Sequence, residues 1–186
     1  RLVLPFLLQK RIRVRWAAAT HCHPDHAEGL AEIIPVLRPE ELWLSAVAPD
    51  DEYCRQLSAA RPATTRLVKI GRGFERNIDG CTVACLWPPS FVEAAAAENG
   101  HSMVLRAGDR RASFLLAGDI EGEGEAGLGA APGAAAAVLK VPHHGSRTST
   151  SGLLLDAVRP RIAVISLAAF TSWGFPHAQV TGRLKR

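Results

Sequence analysis

The stretch Thr20-His21-Cys22-His23-Pro24-Asp25-His26 gathers three histidines and one aspartate directly after the apolar run Trp16-Ala17-Ala18-Ala19. Ligand-type side chains at that density point to a metal site. Neutral imidazoles suit zinc, manganese and iron, while a carboxylate supplies charge and can hold a second ion. His21 and His23 alternate, so on an extended chain both rings leave on the same side, and Cys22 is turned away into the core rather than towards the ligands. Pro24 allows a tight turn that brings Asp25 and His26 round to the same point. The plain alternative, a few histidines on a polar loop, leaves this ordering unexplained.

Upstream, the short apolar segment Leu2 to Leu8 is followed by Lys10-Arg11-Ile12-Arg13-Val14-Arg15, whose alternation predicts a strand with one wet face that continues through Trp16 to Ala19. The loop then lies at a strand's C-terminal end, where layered α/β proteins bind ligands. Downstream, Leu30, Ile33, Ile34 and Leu37 have helical spacing within Ala27 to Leu37. Leu42 to Ser45 reads as a strand, and Pro49-Asp50-Asp51-Glu52 as the acidic start of a helix. Strands are expected over Arg66 to Ile70, Gly80 to Leu86, Ser102 to Arg106, Ala112 to Ala117, Val138 to Val141 and Ile162 to Leu167. Gly108-Asp109 forms a hairpin turn between the third and fourth of these. Ala94 to Ala97 reads as a disordered loop or a helical turn, Gly122 to Ala137 as one poor helix or a mobile stretch, and Leu153 to Val158 as helical. A final helix barely starts after Gly174-Phe175-Pro176-His177.

Two further places carry chemistry. Asp119 follows an apolar strand and Gly118, so it leaves the core at a strand end, as a functional carboxylate or as part of a plain turn. His143 and His144 follow the strand Leu139-Lys140-Val141, and adjacent residues at a strand end do not both point inward. One is expected to bind metal and the other to shape the site, with His143 favoured as ligand and His144 as supporting residue or substrate contact. Lys140, Arg106, Arg147 and Ser146 offer donors to phosphate, or else are ordinary surface polarity.

The pattern His21-x-His23-x-Asp25-His26 is the signature of the metallo-β-lactamase fold. With Leu139-Lys140-Val141-Pro142-His143-His144-Gly145-Ser146, and with Ser102 to Arg106 preceded by Asn99, the chain resembles the soluble C-terminal domain of ComEC-type DNA-uptake (competence) proteins from about Val3 to Leu184. The resemblance implies an α/β fold, an αββα sandwich in which the loop, Asp119 and His143 meet at one rim. It also implies two divalent metal ions, zinc or manganese. His21, His23 and His143 would hold one ion, Asp25 and His26 would contribute to the other, and Asp119 would bridge them. Asn99 stands where many such enzymes have a histidine, so the site lacks one strong ligand or His101 supplies it, and weak or partial metal occupancy is expected. Relatives often have histidine where Phe175 stands, which leaves His177 as the active-site histidine of that loop. The Asp-x-Gly turn and further strand with which relatives begin and end are missing, so a partial domain, truncated at both ends, is expected.

The implied activity is metal-dependent hydrolysis, by a nuclease or phosphodiesterase acting on single-stranded or duplex DNA during natural transformation. Asp25, Asp119, His144 and His177 would be at its catalytic centre. The alternatives are a metallohydrolase of another phosphodiester or of an ester, and a non-catalytic DNA-binding module of a membrane channel. The partners would be DNA and the rest of that channel, with no cofactor nucleotide. The setting would be a soluble domain of an inner-membrane protein on the periplasmic or extracellular side. At 186 residues and 47% hydrophobic the chain has the size of one domain, 1–186, and a formal charge of +4 suits a polyanion without selecting one. No apolar run reaches the roughly 18 residues of a membrane span. Cys22, Cys54, Cys81 and Cys85 lack Cys-x-x-Cys pairing. Cys81 and Cys85 would bridge in an oxidising compartment or, as their spacing within a strand favours, lie as two small buried thiols.

Overall fold

A computed structural model of the chain describes residues 2–89, 98–130, 132–168 and 173–185. The chain is α/β, with six helices and two sheets among these residues. It forms two compact units, Arg1–Ile70 and Gly71–Arg186.

The first unit alternates helix and strand: α1 (Val3–Gln9), β1 (Trp16–Ala19), α2 (Pro24–Leu37), β2 (Glu41–Ser45), α3 (Glu52–Ala60) and β3 (Arg66–Ile70). Its strands form a parallel sheet in the order β1-β2-β3, with Trp16 opposite Glu41 and Glu41 opposite Arg66. Crossover helices are what parallel neighbours require. All of β2 is buried, and Leu42 and Leu44 pack with Ala19, Ala27, Ile34 and Leu57. Glu41 is tolerated in that strand because Trp43 Nε1 donates to its Oε2 at 2.7 Å and the Arg66 guanidinium pairs with its Oε1.

Three expectations are corrected here. Residues 10–15 form no strand: Lys10 caps α1, Arg11 turns left-handed at φ 51°, and Arg13 and Arg15 instead pair with the Glu40 carboxylate. The charge alternation served an exposed ion-pair cluster, which holds Glu40 below the usual carboxylate range, chiefly through the hydrogen bond from Arg15. Second, α2 starts at Pro24 rather than Ala27. Proline suits the first helical position, where its missing N–H costs nothing, so Asp25 and His26 lie in the first helical turn rather than in a loop. Third, Cys22 is buried but is more than packing, because it is disulfide-bonded to Cys54 across a Cα–Cα distance of 5.2 Å. Cys81 and Cys85 are free thiols, the latter buried.

The second unit contains β4 (Glu75–Ile78), β5 (Cys81–Trp87), β6 (Val104–Gly108), β7 (Ser113–Leu116), α4 (Gly122–Gly129), β8 (Val138–Lys140), α5 (Gly152–Val158), β9 (Ile162–Val164) and α6 (Ala178–Leu184). They build a sheet in chain order, antiparallel from β4 to β7 and parallel from β7 to β9. The sequence reading missed β4, although Asp79-Gly80, both at positive φ, is the turn that a two-residue hairpin demands. The hairpin at Gly108-Asp109 forms, with Asp109 Oδ1 accepting from the Arg111 and Ala112 N–H groups. The glycine- and alanine-rich stretch does carry a helix, α4, and the final helix runs to Leu184. Trp87, Val104, Leu115, Ile120, Leu128, Leu139, Leu154 and Val158 are prominent in the core. The alanine run Ala94 to Ala97 lies outside the described residues.

Candidate metal centre

In the first unit, β1 delivers Thr20 and the chain stays extended to His23, which immediately precedes α2 with φ −60° and ψ 150°. Alternation and the helix start gather the imidazoles. The ring of His21, only 3% exposed, lies 4.5 Å from that of His23 and 4.2 Å from that of His26, centre to centre. Thr20 Oγ1 stands 3.1 Å from His21 Nδ1 and 3.5 Å from His26 Nδ1, so one hydroxyl addresses two rings from behind. Asp25 Oδ2 is 3.6 Å from His26 Nε2 and reaches towards solvent. The acidic side chain is at home in the first turn of α2 because the helix dipole favours negative charge there. Beneath the loop, Cys22 is bonded to Cys54 of α3. The N-terminus of that helix is capped by Asp51, whose Oδ1 accepts from Cys54 N at 2.7 Å.

In the second unit, β7 and β8 run parallel with Leu116 opposite Lys140, so the residues after both strands emerge at the same sheet edge. Asp119, 3% exposed, is fixed by its backbone N–H, which donates to Ser102 Oγ at 3.2 Å. Its carboxylate meets His144 Nε2 and Lys140 Nζ, each at 3.5 Å. His144 Nδ1 lies 2.6 Å from the Ser166 carbonyl. A carbonyl only accepts, so Nδ1 carries a proton, and Nε2 is the nitrogen that faces Asp119. His143 sits differently: its Nδ1 is 2.6 Å from Glu121 Oε1, and its own N–H donates to the Gly118 carbonyl at 3.2 Å. Both histidines have left-handed backbones, at φ 45° and 51°, which is how neighbours at a strand end send their rings to different partners.

The other expected residues are less concentrated. His177 Nδ1 accepts from the Arg147 backbone N–H at 3.2 Å, which leaves its proton on Nε2. Phe175 stacks on His144 and meets the edges of His143 and His177, with ring centres 5.3 to 6.2 Å apart, so its apolar ring separates three imidazoles. Ser146 is buried, with Oγ 2.8 Å from Thr148 Oγ1, and Arg106 Nε donates to the Ala135 carbonyl at 2.9 Å. Asn99 Nδ2 donates to Glu121 Oε2 at 3.3 Å. The buried Oδ1 of Asn99 and Nδ1 of His101 have no hydrogen-bond partner among the described residues. Sequence reasoning missed Thr20, Ser102 and Glu121. No pattern singles out a hydroxyl beside a strand end, and Glu121 before a helix reads simply as a complement to its dipole.

In each unit the donor types suit divalent cations. The first offers imidazoles with the Thr20 hydroxyl at Nδ1, and the second an imidazole held by a carbonyl and a buried carboxylate that faces an ammonium group. Metal-ligating histidines are usually oriented in this way by an outer partner.

Residues 4–169 match the sequence family described as the metallo-beta-lactamase superfamily. The chain is 33% identical over 184 residues to Recombination protein 2 of Haemophilus influenzae, covering 99% of this chain and 21% of that one. It is 31% identical over 194 residues to ComE operon protein 3 of Bacillus subtilis, covering 100% and 24%. The chain therefore spans about a fifth to a quarter of the length of these curated relatives. Among solved structures it resembles CmlA, a diiron β-hydroxylase from Streptomyces venezuelae, with a TM-score of 0.60 and 14% identity over 92% of this chain and 41% of that one, a likeness of fold alone. With its signature residues at two strand ends and a family match over most of its length, the chain belongs to the metallo-beta-lactamase superfamily.

Proposed function

We propose that the chain is the hydrolytic domain of a DNA-uptake protein and cleaves phosphodiester bonds in DNA with two divalent metal ions, zinc or manganese. The observation that carries this is the buried Asp119 carboxylate with His144 Nε2 turned towards it at 3.5 Å, two ligand-type groups brought together at a strand end. His21, His23, Asp25, His26 and His143 complete the ligand set on this reading. His144, first expected as a supporting residue, joins it. Bound cations would lower the pKa of water towards neutrality and neutralise charge developing on phosphate oxygens.

The chain's own residues then have defined tasks. The Thr20 hydroxyl and the Ser166 carbonyl hold imidazoles in place through their Nδ1 atoms, with Nε2 turned away from those partners. His177, with its proton on Nε2, donates to a phosphate oxygen. Lys140, which now touches Asp119 and the Gly118 carbonyl, supplies positive charge beside the scissile group, while Arg147, Ser146 and Arg106 contact the flanking backbone. DNA as substrate is supported by the likeness to ComE operon protein 3 and by the ComEC-type sequence around His143. On the same grounds we place the domain, read as one working unit over 1–186, within a membrane channel protein on the outer side of the inner membrane. No described helix is long and apolar enough to cross a membrane. The Cys22–Cys54 disulfide supports an oxidising compartment.

A second reading, a DNA-binding module without catalysis, is favoured by Asn99, a weak ligand type whose Nδ2 donates to Glu121 and which stands where many related enzymes have a histidine. Incubation of labelled single-stranded and duplex DNA with added manganese or zinc, with and without chelator, separates the two. Chelator-sensitive cleavage that disappears in Asp119→Ala supports the hydrolase. Salt-sensitive binding without cleavage supports the module.

A further inference from the structure

Glu121 stands immediately before α4, yet its carboxylate caps nothing in that helix. It is instead the hub of a polar cluster: Oε1 takes His143 Nδ1 at 2.6 Å and the Thr148 hydroxyl, and Oε2 accepts from Asn99 Nδ2 at 3.3 Å. A carboxylate at that separation needs a proton on the ring nitrogen facing it, because an ionised carboxylate only accepts. The His143 ring is constrained on other sides as well. Its backbone N–H is tied to the Gly118 carbonyl, and Phe175 presents an edge with ring centres 5.8 Å apart.

We propose that Glu121 is a positioning residue: it holds His143 as the Nδ1–H tautomer and so presents Nε2 as the bare nitrogen to the metal centre. The proposal rests on the metallohydrolase reading for the purpose of that nitrogen, but not for its tautomer. It also gives Asn99 a task. An asparagine cannot replace a strong imidazole ligand, but its amide N–H steadies the carboxylate that aims one. Thr148 does the same from the other oxygen, so the loop after Gly145 is tied to the histidine it follows. A charged acceptor behind the ring strengthens the opposite nitrogen as a donor to a cation, and losing such outer partners typically weakens metal affinity by about 10–100-fold.

The test uses the full chain stripped of metal by chelator and dialysis. Two-bond proton–nitrogen NMR correlations of the imidazoles report the His143 tautomer, and calorimetric titration with zinc reports affinity. The expected result is a wild-type ring protonated at Nδ1. In Glu121→Ala the ring should lose that preference and zinc affinity should fall by about 10–100-fold. Glu121→Gln, whose amide oxygen still accepts from Nδ1–H, should restore the tautomer and most of the affinity. A wild-type ring protonated at Nε2 overturns the proposal, as does Glu121→Ala with unchanged tautomer and zinc affinity. If Glu121→Ala fails to fold, the wild-type tautomer and the Glu121→Gln titration decide by themselves. A wild-type chain with the expected tautomer but no zinc binding sinks the hydrolase reading and leaves the positioning role of Glu121 standing.

Discussion

Reducing the Cys22–Cys54 bridge should destabilise the first unit and loosen the histidine-rich 20–26 segment together. The bridge closes a loop of sequence separation 32. In the chain-entropy treatment such a closure removes about 12 cal/mol/K from the unfolded chain, or about 3.7 kcal/mol at 25 °C. That is a large fraction of the stability of a small unit, since folded domains are held by only about 5–15 kcal/mol. Both cysteines are buried, so the native state has little room to relax when the bond is cut. Urea unfolding followed by the fluorescence of Trp16 and Trp43, with and without reductant, should show the midpoint falling by about 1–3 M. A Cys22→Ala/Cys54→Ala variant should fall at least as far, because it also removes two buried sulfur atoms. The functional consequence follows from position: Cys22 lies between His21 and His23, so cutting the bond frees the backbone that spaces their rings, and zinc affinity should drop in the double variant. Equal urea midpoints for the oxidised and reduced protein would refute the reasoning, showing that packing alone holds the loop to α3.

Asp25→Ala should lower DNA cleavage by more than about a hundredfold, beyond the loss usual for outer partners of a metal, while thermal unfolding stays close to wild type because the side chain is 60% exposed. Cleavage at the parent rate would remove the His-x-His-x-Asp-His segment from the catalytic centre. Gly127→Ala would place a Cβ 2.4 Å from Trp87 Cζ3. It should cost about 1–3 kcal/mol in urea unfolding as the indole is forced aside, and a loss within error of zero would show that the ring moves freely. Burial pushes the Cys85 thiol up to about 12, so the folded state holds this proton more tightly than the unfolded one. Its contribution is therefore present below the unfolded thiol's value of about 8.5 and is lost as pH rises above it. Wild type should lose stability more steeply than Cys85→Ala over that alkaline range, and native Cys85 should resist alkylation while Cys81 reacts. Parallel pH profiles would contradict this.

The parts of the fold legible in the sequence were those where one force acts alone. Leu42 to Ser45 is a strand because it is buried throughout, and the run from Leu30 to Leu37 is helical because only one face is apolar. Where two forces compete, pattern misled. Residues 10–15 alternate like a strand, but Arg13 and Arg15 extend their side chains to Glu40, and the strand begins only at Trp16. The Cys22–Cys54 bond was invisible for a different reason: alternation predicts a buried Cys22, but it cannot say which helix lies beneath, and α3 arrives only through the tertiary fold.

The same division runs through the candidate site. Residues whose chemistry is their own, such as Asp119 or the histidines of the 20–26 segment, announce themselves by type and spacing. Residues whose task is to aim another residue do not, because any acceptor at the right place suffices. A hydroxyl at Thr20, a main-chain carbonyl at Ser166 and a carboxylate at Glu121 all address a histidine Nδ1, and they share no sequence character. The choice between His143 and His144 belongs to this second kind. Two adjacent left-handed residues send one ring to Asp119 and the other to Glu121, and backbone dihedrals rather than residue identity make that assignment. Fold class and the candidate residue types are thus read from the chain itself. Which nitrogen of which ring is free to bind is decided by the partners that tertiary structure places behind it.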